Sequence, residues 1–106
     1  MLSPILSDVR EPIESTEYFS PKASSMVMDF DPNKLDAIDA HIGRRIRMRR
    51  RQLGLNQSEL ARRIGVTFQQ VHKYETGQSA VTAARLFAIA TALGSVLEYF
   101  YDDVLP

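Results

Sequence analysis

Apolar residues at Leu35, Ile38, Ile42, Ile46 and Leu53 are spaced 3, 4, 4 and 7 apart, which gathers them on one face of a helix. Asp31-Pro32 supplies a start signal, an acidic N-cap with proline at the first helical position. Gly54 supplies a stop. The pattern predicts one long helix ending near Leu53. Gly43 inside it costs roughly 1 kcal/mol of helical propensity and marks a place where it can break. A second, shorter stripe follows at Leu60, Ala61 and Ile64, ended by Gly65, with Asn56 and Glu59 spaced as a capping box. Thr67 and Gln70 repeat that spacing ahead of Val71 and Tyr74, and Gly77 closes the third helix. After a connector from Gln78 to Val81, a fourth helix starts near Thr82 and turns Leu86, Ile89, Ala90 and Leu93 inward, stopping at Gly94. Ser95 and Glu98 give a further capping box for a fifth helix, VLEYFYDD. No stretch alternates with the two-residue period of a strand. Five helices with short connections predict a compact all-α domain over residues 31–106.

Residues 1–30 break with this order. They hold Pro4, Pro12 and Pro21, six serines and no sustained period, and read as an acidic, largely disordered arm. Its short apolar pieces (Val9 and Ile13; Tyr18 and Phe19; Met26 to Met28) are either incidental on a solvated tail or segments that dock on the domain or on a protein partner.

The centre of the pattern is Gln57 to Thr76, where two short helices meet at a glycine. That is a helix-turn-helix layout, in which one helix braces and the other can enter a DNA groove. Charge sharpens this reading. The whole chain is neutral, with 13 basic and 13 acidic residues. Residues 1–36, however, carry seven acids against three bases, a net −4, while residues 41–85 carry ten bases against two acids, a net +8. The basic half suits a nucleic acid.

Composition mostly excludes. A length of 106 residues favours one domain, and 44% hydrophobic with 25% charged residues is ordinary for a soluble globular protein. With no cysteine, disulfides, cysteine-based zinc sites and thiol nucleophiles are out, and a cytoplasmic home fits. The apolar run from Leu86 to Leu93 is far short of the roughly 20 residues of a membrane span, and the start MLSPILSDVRE lacks the basic region of a signal peptide. His41 and His72 lack acidic partners at ligand spacing, so neither metal nor cofactor is expected. No Ser-His-Asp order, acidic pair or glycine-rich phosphate loop supports catalysis.

Residues from about Ile42 to Phe100 resemble the Xre/Cro/CI helix-turn-helix family of phage repressors and bacterial regulators. Gln52-Leu53-Gly54-Leu55-Asn56-Gln57-x-Glu59-Leu60-Ala61 is close to the lambdoid repressor pattern. Thr67-Phe68-Gln69-Gln70-Val71-x-Lys73-Tyr74-Glu75-x-Gly77 is similar to a subgroup common in alphaproteobacterial regulators. Three constraints are coupled: small Ala61 lets the helices cross closely, Gly65 takes the positive φ of the turn, and Val71 packs between helices with Tyr74 setting the shape. The resemblance implies a five-helix, lambda-repressor-like DNA-binding fold and a regulator working on the nucleoid.

It also implies roles. Thr67, Phe68, Gln69, Gln70 and Lys73 project from the end of the helix that lies in the major groove, with His72 at the edge. Glutamine amides suit adenine N6 and N7. Phe68 departs from the polar residue common in phage repressors, and either contacts a thymine methyl or folds back as a hydrophobic plug. Asn56 and Gln57, with the free amides of their helix start, should hold a phosphate. Arg44, Arg47, Arg51 and Ser79 are further phosphate candidates. Arg62 and Arg63 fit their helix C-terminal dipole better than DNA. Arg50 and Glu75 resemble the family's buried pair. The loop after the reading helix has Gln78, Ser79 and Ala80 where repressors often place Lys or Arg, so a shallower salt dependence is expected.

Family members usually dimerise on palindromic sites. Leu97, Tyr101 and Leu105 are the candidate interface residues, and the favoured split turns Phe100 and Leu97 inward and leaves Tyr101 and Leu105 at the interface. The leading reading is a homodimeric, sequence-specific transcriptional regulator, a repressor before an activator. An antitoxin whose arm binds a toxin, and an adaptor that has lost DNA reading, stay open as alternatives.

Overall fold

The computed structural model describes residues 28–104. Most of the acidic arm, and Leu105, lie outside them. All the helices among the described residues belong to the unit that begins at Asp31.

Proline at position 32 fixes φ near its helical value and gives up an N–H that a helix start does not use. Asp31 in front of it accepts from the Asn33 N–H at 2.9 Å. These two residues start a single 3-10 turn, Pro32–Lys34, which runs into α1, Leu35–Gln52. The helix itself thus begins three residues later than the signal suggests. It ends at the cap Leu53, with Gly54 at a φ of 72°.

Gly43 does not break it. A β-carbon there would overlap the carbonyl oxygens of Tyr74 and Glu75, 2.7 Å from the latter. Glycine serves a backbone-to-backbone crossing between α1 and the third helix, and its poor propensity is the cost of that approach.

The second helix, α2, spans Gln57–Ile64, and the third, α3, spans Phe68–Thr76. The Asn56–Glu59 box forms in both directions: the Glu59 N–H donates to Asn56 Oδ1 and the Asn56 N–H to Glu59 Oε1, each at 2.8 Å. Gly65 follows at a φ of 75°, and the Val66 N–H reaches back to the Ala61 carbonyl at 3.0 Å. This left-handed cap turns the chain straight into α3. Thr67 caps α3 by accepting from the Gln70 N–H at 3.1 Å. The Gln70 side chain does not return the bond, so this box is one-sided. Thr82 caps α4, Ala83–Ala92, by accepting from the Arg85 N–H.

The expected fifth helix is not an α-helix. Leu97–Phe100 is one 3-10 turn whose N-cap, Val96, makes no side-chain capping bond, so the Ser95–Glu98 box does not form. Two contacts explain this. The Tyr99 carbonyl, which an α-helix would offer to residue 103, accepts instead from Arg45 Nε at 2.9 Å. Asp103 then adopts a left-handed φ of 59°. The described residues therefore hold four α-helices and two 3-10 turns, and no strand.

One core joins them. Ile42 and Ile46 enter from α1, Leu60, Ala61 and Ile64 from α2, Val71 and Tyr74 from α3, Leu86, Ile89, Ala90 and Leu93 from α4 and its cap. Phe100 closes it from the last turn. Each large side chain here contributes about 1.5–3 kcal/mol relative to exposure. The two ends of the α1 stripe stay outside the core: Leu35 is 52% and Leu53 43% exposed. Among the described residues, no helix is long and apolar enough to cross a membrane.

Candidate nucleic-acid interface

The centre of the site is a carboxylate with three donors. Arg50 Nε and Nη2 donate to the two oxygens of Glu75 at 2.7 and 3.0 Å, and Gln57 Nε2 donates to Oε1 at 3.0 Å. Arg50 spends its remaining arm on the Leu55 carbonyl at 2.7 Å. Arg50 and Glu75 are only 8% and 5% exposed. A fork-on-fork pair is among the stronger charge-assisted contacts, and burial makes each partner depend on the other. The result ties three elements together: the C-terminal half of α1, the first residue of α2 and the far end of α3. What this clamp holds still is α3 itself.

The solvent side of α3 is open. Thr67, Phe68, Gln69, His72 and Lys73 are exposed and Gln70 is half-buried, while Val71, Tyr74 and Glu75 face inward. Phe68, the first residue of α3, is 51% exposed. It is no plug in the core, whose buried residues include Leu60, Ala61, Ile64 and Val71. The chemistry presented is two amides, an ammonium, a hydroxyl and a phenyl ring at the free end of a helix.

Beside it lies the start of α2. Asn56 has its side-chain oxygen committed to the cap, and Gln57 turns its amide nitrogen toward Glu75. The first backbone N–H groups of α2 have no helical acceptor, as at every helix start. An anion here would therefore meet backbone donors first. Arg44 and Arg51 are exposed on α1, and Ser79 is half-buried just after α3. Leu97 and Tyr101 are 40% and 46% exposed in and after the last turn. Leu97 is therefore not a core residue.

Much of the arginine run serves the fold. Arg45 donates to the Tyr99 carbonyl, lies with its guanidinium carbon 4.1 Å from the centre of the Tyr99 ring and reaches Asp102 at 3.6 Å. Arg49 donates from Nε to the Leu93 carbonyl at 2.9 Å, capping the end of α4. Arg85, from α4, takes the Ile64 carbonyl at the end of α2. Arg62 and Arg63 sit in that same last turn of α2 but are exposed, so the direct cap of Ile64 comes from another helix. Sequence reading missed Arg45, Arg49 and Arg85. For the first pair a signal existed, since residues 45 and 49 share one side of α1 next to the buried stripe. Among the described residues, no group of three His, Cys, Asp or Glu could hold a metal ion.

A family model described as helix-turn-helix matches residues 46–100, which is the stretch that holds the clamp, the turn and the open face of α3. A transcriptional regulator in the ATPase CF(0) region of Rhodospirillum rubrum is 49% identical over 74 residues, 70% of this chain and 68% of that protein. An HTH-type transcriptional regulator of Sinorhizobium fredii is 50% identical over 72 residues, 68% of this chain and 50% of its own length. Against several such relatives the chain spans only about half of their length. Among solved structures, the clp gene regulator ClgR from C. glutamicum superposes with a TM-score of 0.61 at 22% identity, over 63% of this chain and 87% of that one, a likeness of fold. The restriction-modification controller protein C.AhdI from Aeromonas hydrophila gives a TM-score of 0.59 at 28% identity, over 66% and 99%. The chain belongs to the helix-turn-helix family of DNA-binding transcriptional regulators, of the Xre/Cro/CI type.

Proposed function

We propose that the chain is a homodimeric repressor that reads a palindromic operator by laying α3 in the major groove. Thr67, Phe68, Gln69, Gln70 and Lys73 meet the base edges. The first backbone amides of α2, from Gln57 on, grip the phosphate backbone, with Asn56 shaping that helix start and Arg44, Arg51 and Ser79 around them. One observation carries this reading: the exposed Phe68, Gln69 and Lys73 stand on a helix that the buried Arg50–Glu75 pair ties to the rest of the domain. A reading head needs chemistry on one side and rigidity on the other. Half-exposed Leu97 and Tyr101 form the face toward a second copy, with Leu105, outside the described residues, as a further candidate, and a dimer bound over a promoter excludes other proteins from it.

Selection of bound sequences from random duplexes tests this, with Gln69→Ala in parallel. The wild type should enrich a palindrome with half-site centres roughly 34 Å apart. Gln69→Ala should lose about 1–3 kcal/mol of preference at one base pair in each half. Selection of the same site with the same strength by the variant would remove Gln69 from the reading set. Sedimentation of the free protein tests the dimer, which Tyr101→Ala should weaken.

A further inference from the structure

We infer that Phe68 reads the C5 methyl group of one thymine in each half-site, and so separates T·A from C·G at a position that hydrogen bonds from Gln69 do not decide. The inference rests on the proposed docking of α3 in the major groove. Phe68 opens α3 directly after the cap Thr67, at the end of the helix that would go deepest, and it is 51% exposed. Nothing in the core calls for it there. Phe68 is not among the residues of the core cluster or those packed against it, whereas Val66 packs there from the turn.

Its neighbours on the open face, Gln69 and Lys73, can each donate a hydrogen bond; the phenyl ring can neither donate nor accept one. The floor of the unmodified major groove offers donors and acceptors at every base pair and a single kind of apolar group, the thymine methyl. A ring pushed against a cytosine edge or a guanine O6 would strip water from a polar atom and return nothing. Against a thymine it removes a methyl group and part of its own face from water. The residue thus acts by rejecting polar edges as much as by favouring an apolar one.

The test uses the full chain and the duplex that it selects. Each thymine is replaced in turn by deoxyuridine, which removes the methyl and leaves the pairing and every hydrogen-bonding group in place. At one thymine per half-site the wild type should bind the uracil duplex about fourfold more weakly, the factor expected for one buried carbon. Phe68→Ala should bind both duplexes alike at that position, Phe68→Leu should keep most of the difference, and Gln69→Ala should keep all of it. Because Phe68 lies outside the core, all three variants should melt with the wild type. Two results overturn the inference: no thymine that responds to uracil, or a response of the same size in Phe68→Ala. If the wild type selects no sequence at all, the docking of α3 falls and the inference with it. A selected site that is indifferent to uracil sinks the inference alone.

Discussion

Glu75 takes donors from Arg50 and Gln57, and both lie on other helices. Removing its carboxylate leaves a guanidinium that is 8% exposed without a counter-charge. Glu75→Ala should cost about 3–5 kcal/mol, which for a domain of this size lowers the melting temperature by roughly 15 °C or more. A thermal melt close to that of the wild type would show the pair to be dispensable. Gly43 makes the opposite kind of test. Helical propensity alone says that Gly43→Ala gains roughly 1 kcal/mol. The new methyl, however, meets two backbone carbonyls of α3, at Tyr74 and Glu75, and neither can rotate away as a side chain would. Overpacking of that kind costs about 1–3 kcal/mol, so the net change should be a loss. A stabilised variant in urea denaturation would mean that the crossing can open. The sequence showed Gly43 only as a weak point in a helix, because propensity is local and the atoms that demand glycine lie about thirty positions downstream.

At the scale of elements, the cap signals located α2, α3 and α4 well. Asn56 with Glu59, Gly65 at the turn and Thr82 act within a few residues of themselves, so a one-dimensional reading can find them. The last turn was not legible in the same way. Ser95 and Glu98 have the right spacing, yet Arg45 captures the Tyr99 carbonyl from across the molecule and ends the helix before it forms. The exposed ends of α1 have a similar cause: period tells which face is apolar but not where its cover stops. Of the reading surface, the open residues of α3 were legible, while Gln57's turn toward Glu75 was not, since it depends on how α2 and α3 cross. Arg85 allows a test at this scale. Arg85→Met keeps the stem and removes the donor to the Ile64 carbonyl, and should lower the unfolding free energy by about 1–2 kcal/mol with an unchanged denaturant slope. An unchanged midpoint would mean that water replaces the cap.

At the scale of the whole molecule, charge sets how the domain would meet its target. Arg45, Arg49, Arg50 and Arg85 hold the fold together, so a good part of the +8 carried by residues 41–85 is not available to phosphate. If Arg44 and Arg51 are the cations that neutralise phosphates, binding should fall with salt at a log–log slope of about −2 per domain. A fluorescence-anisotropy titration at several salt concentrations checks this. A slope twice as steep would bring further arginines into the contact.

The three-donor carboxylate has a consequence for how such a domain can diverge. Its partners are Arg50 and Gln57, and none of the solvent-facing residues Phe68, Gln69 and Lys73 takes part in the network. If, as proposed, these three positions read the DNA, sequence preference and thermodynamic robustness are encoded by different side chains on the same nine-residue helix. Exchanges at the three outer positions would then retarget the domain while its melting behaviour stays constant, and an engineer shuffling them in a library would expect most members to fold.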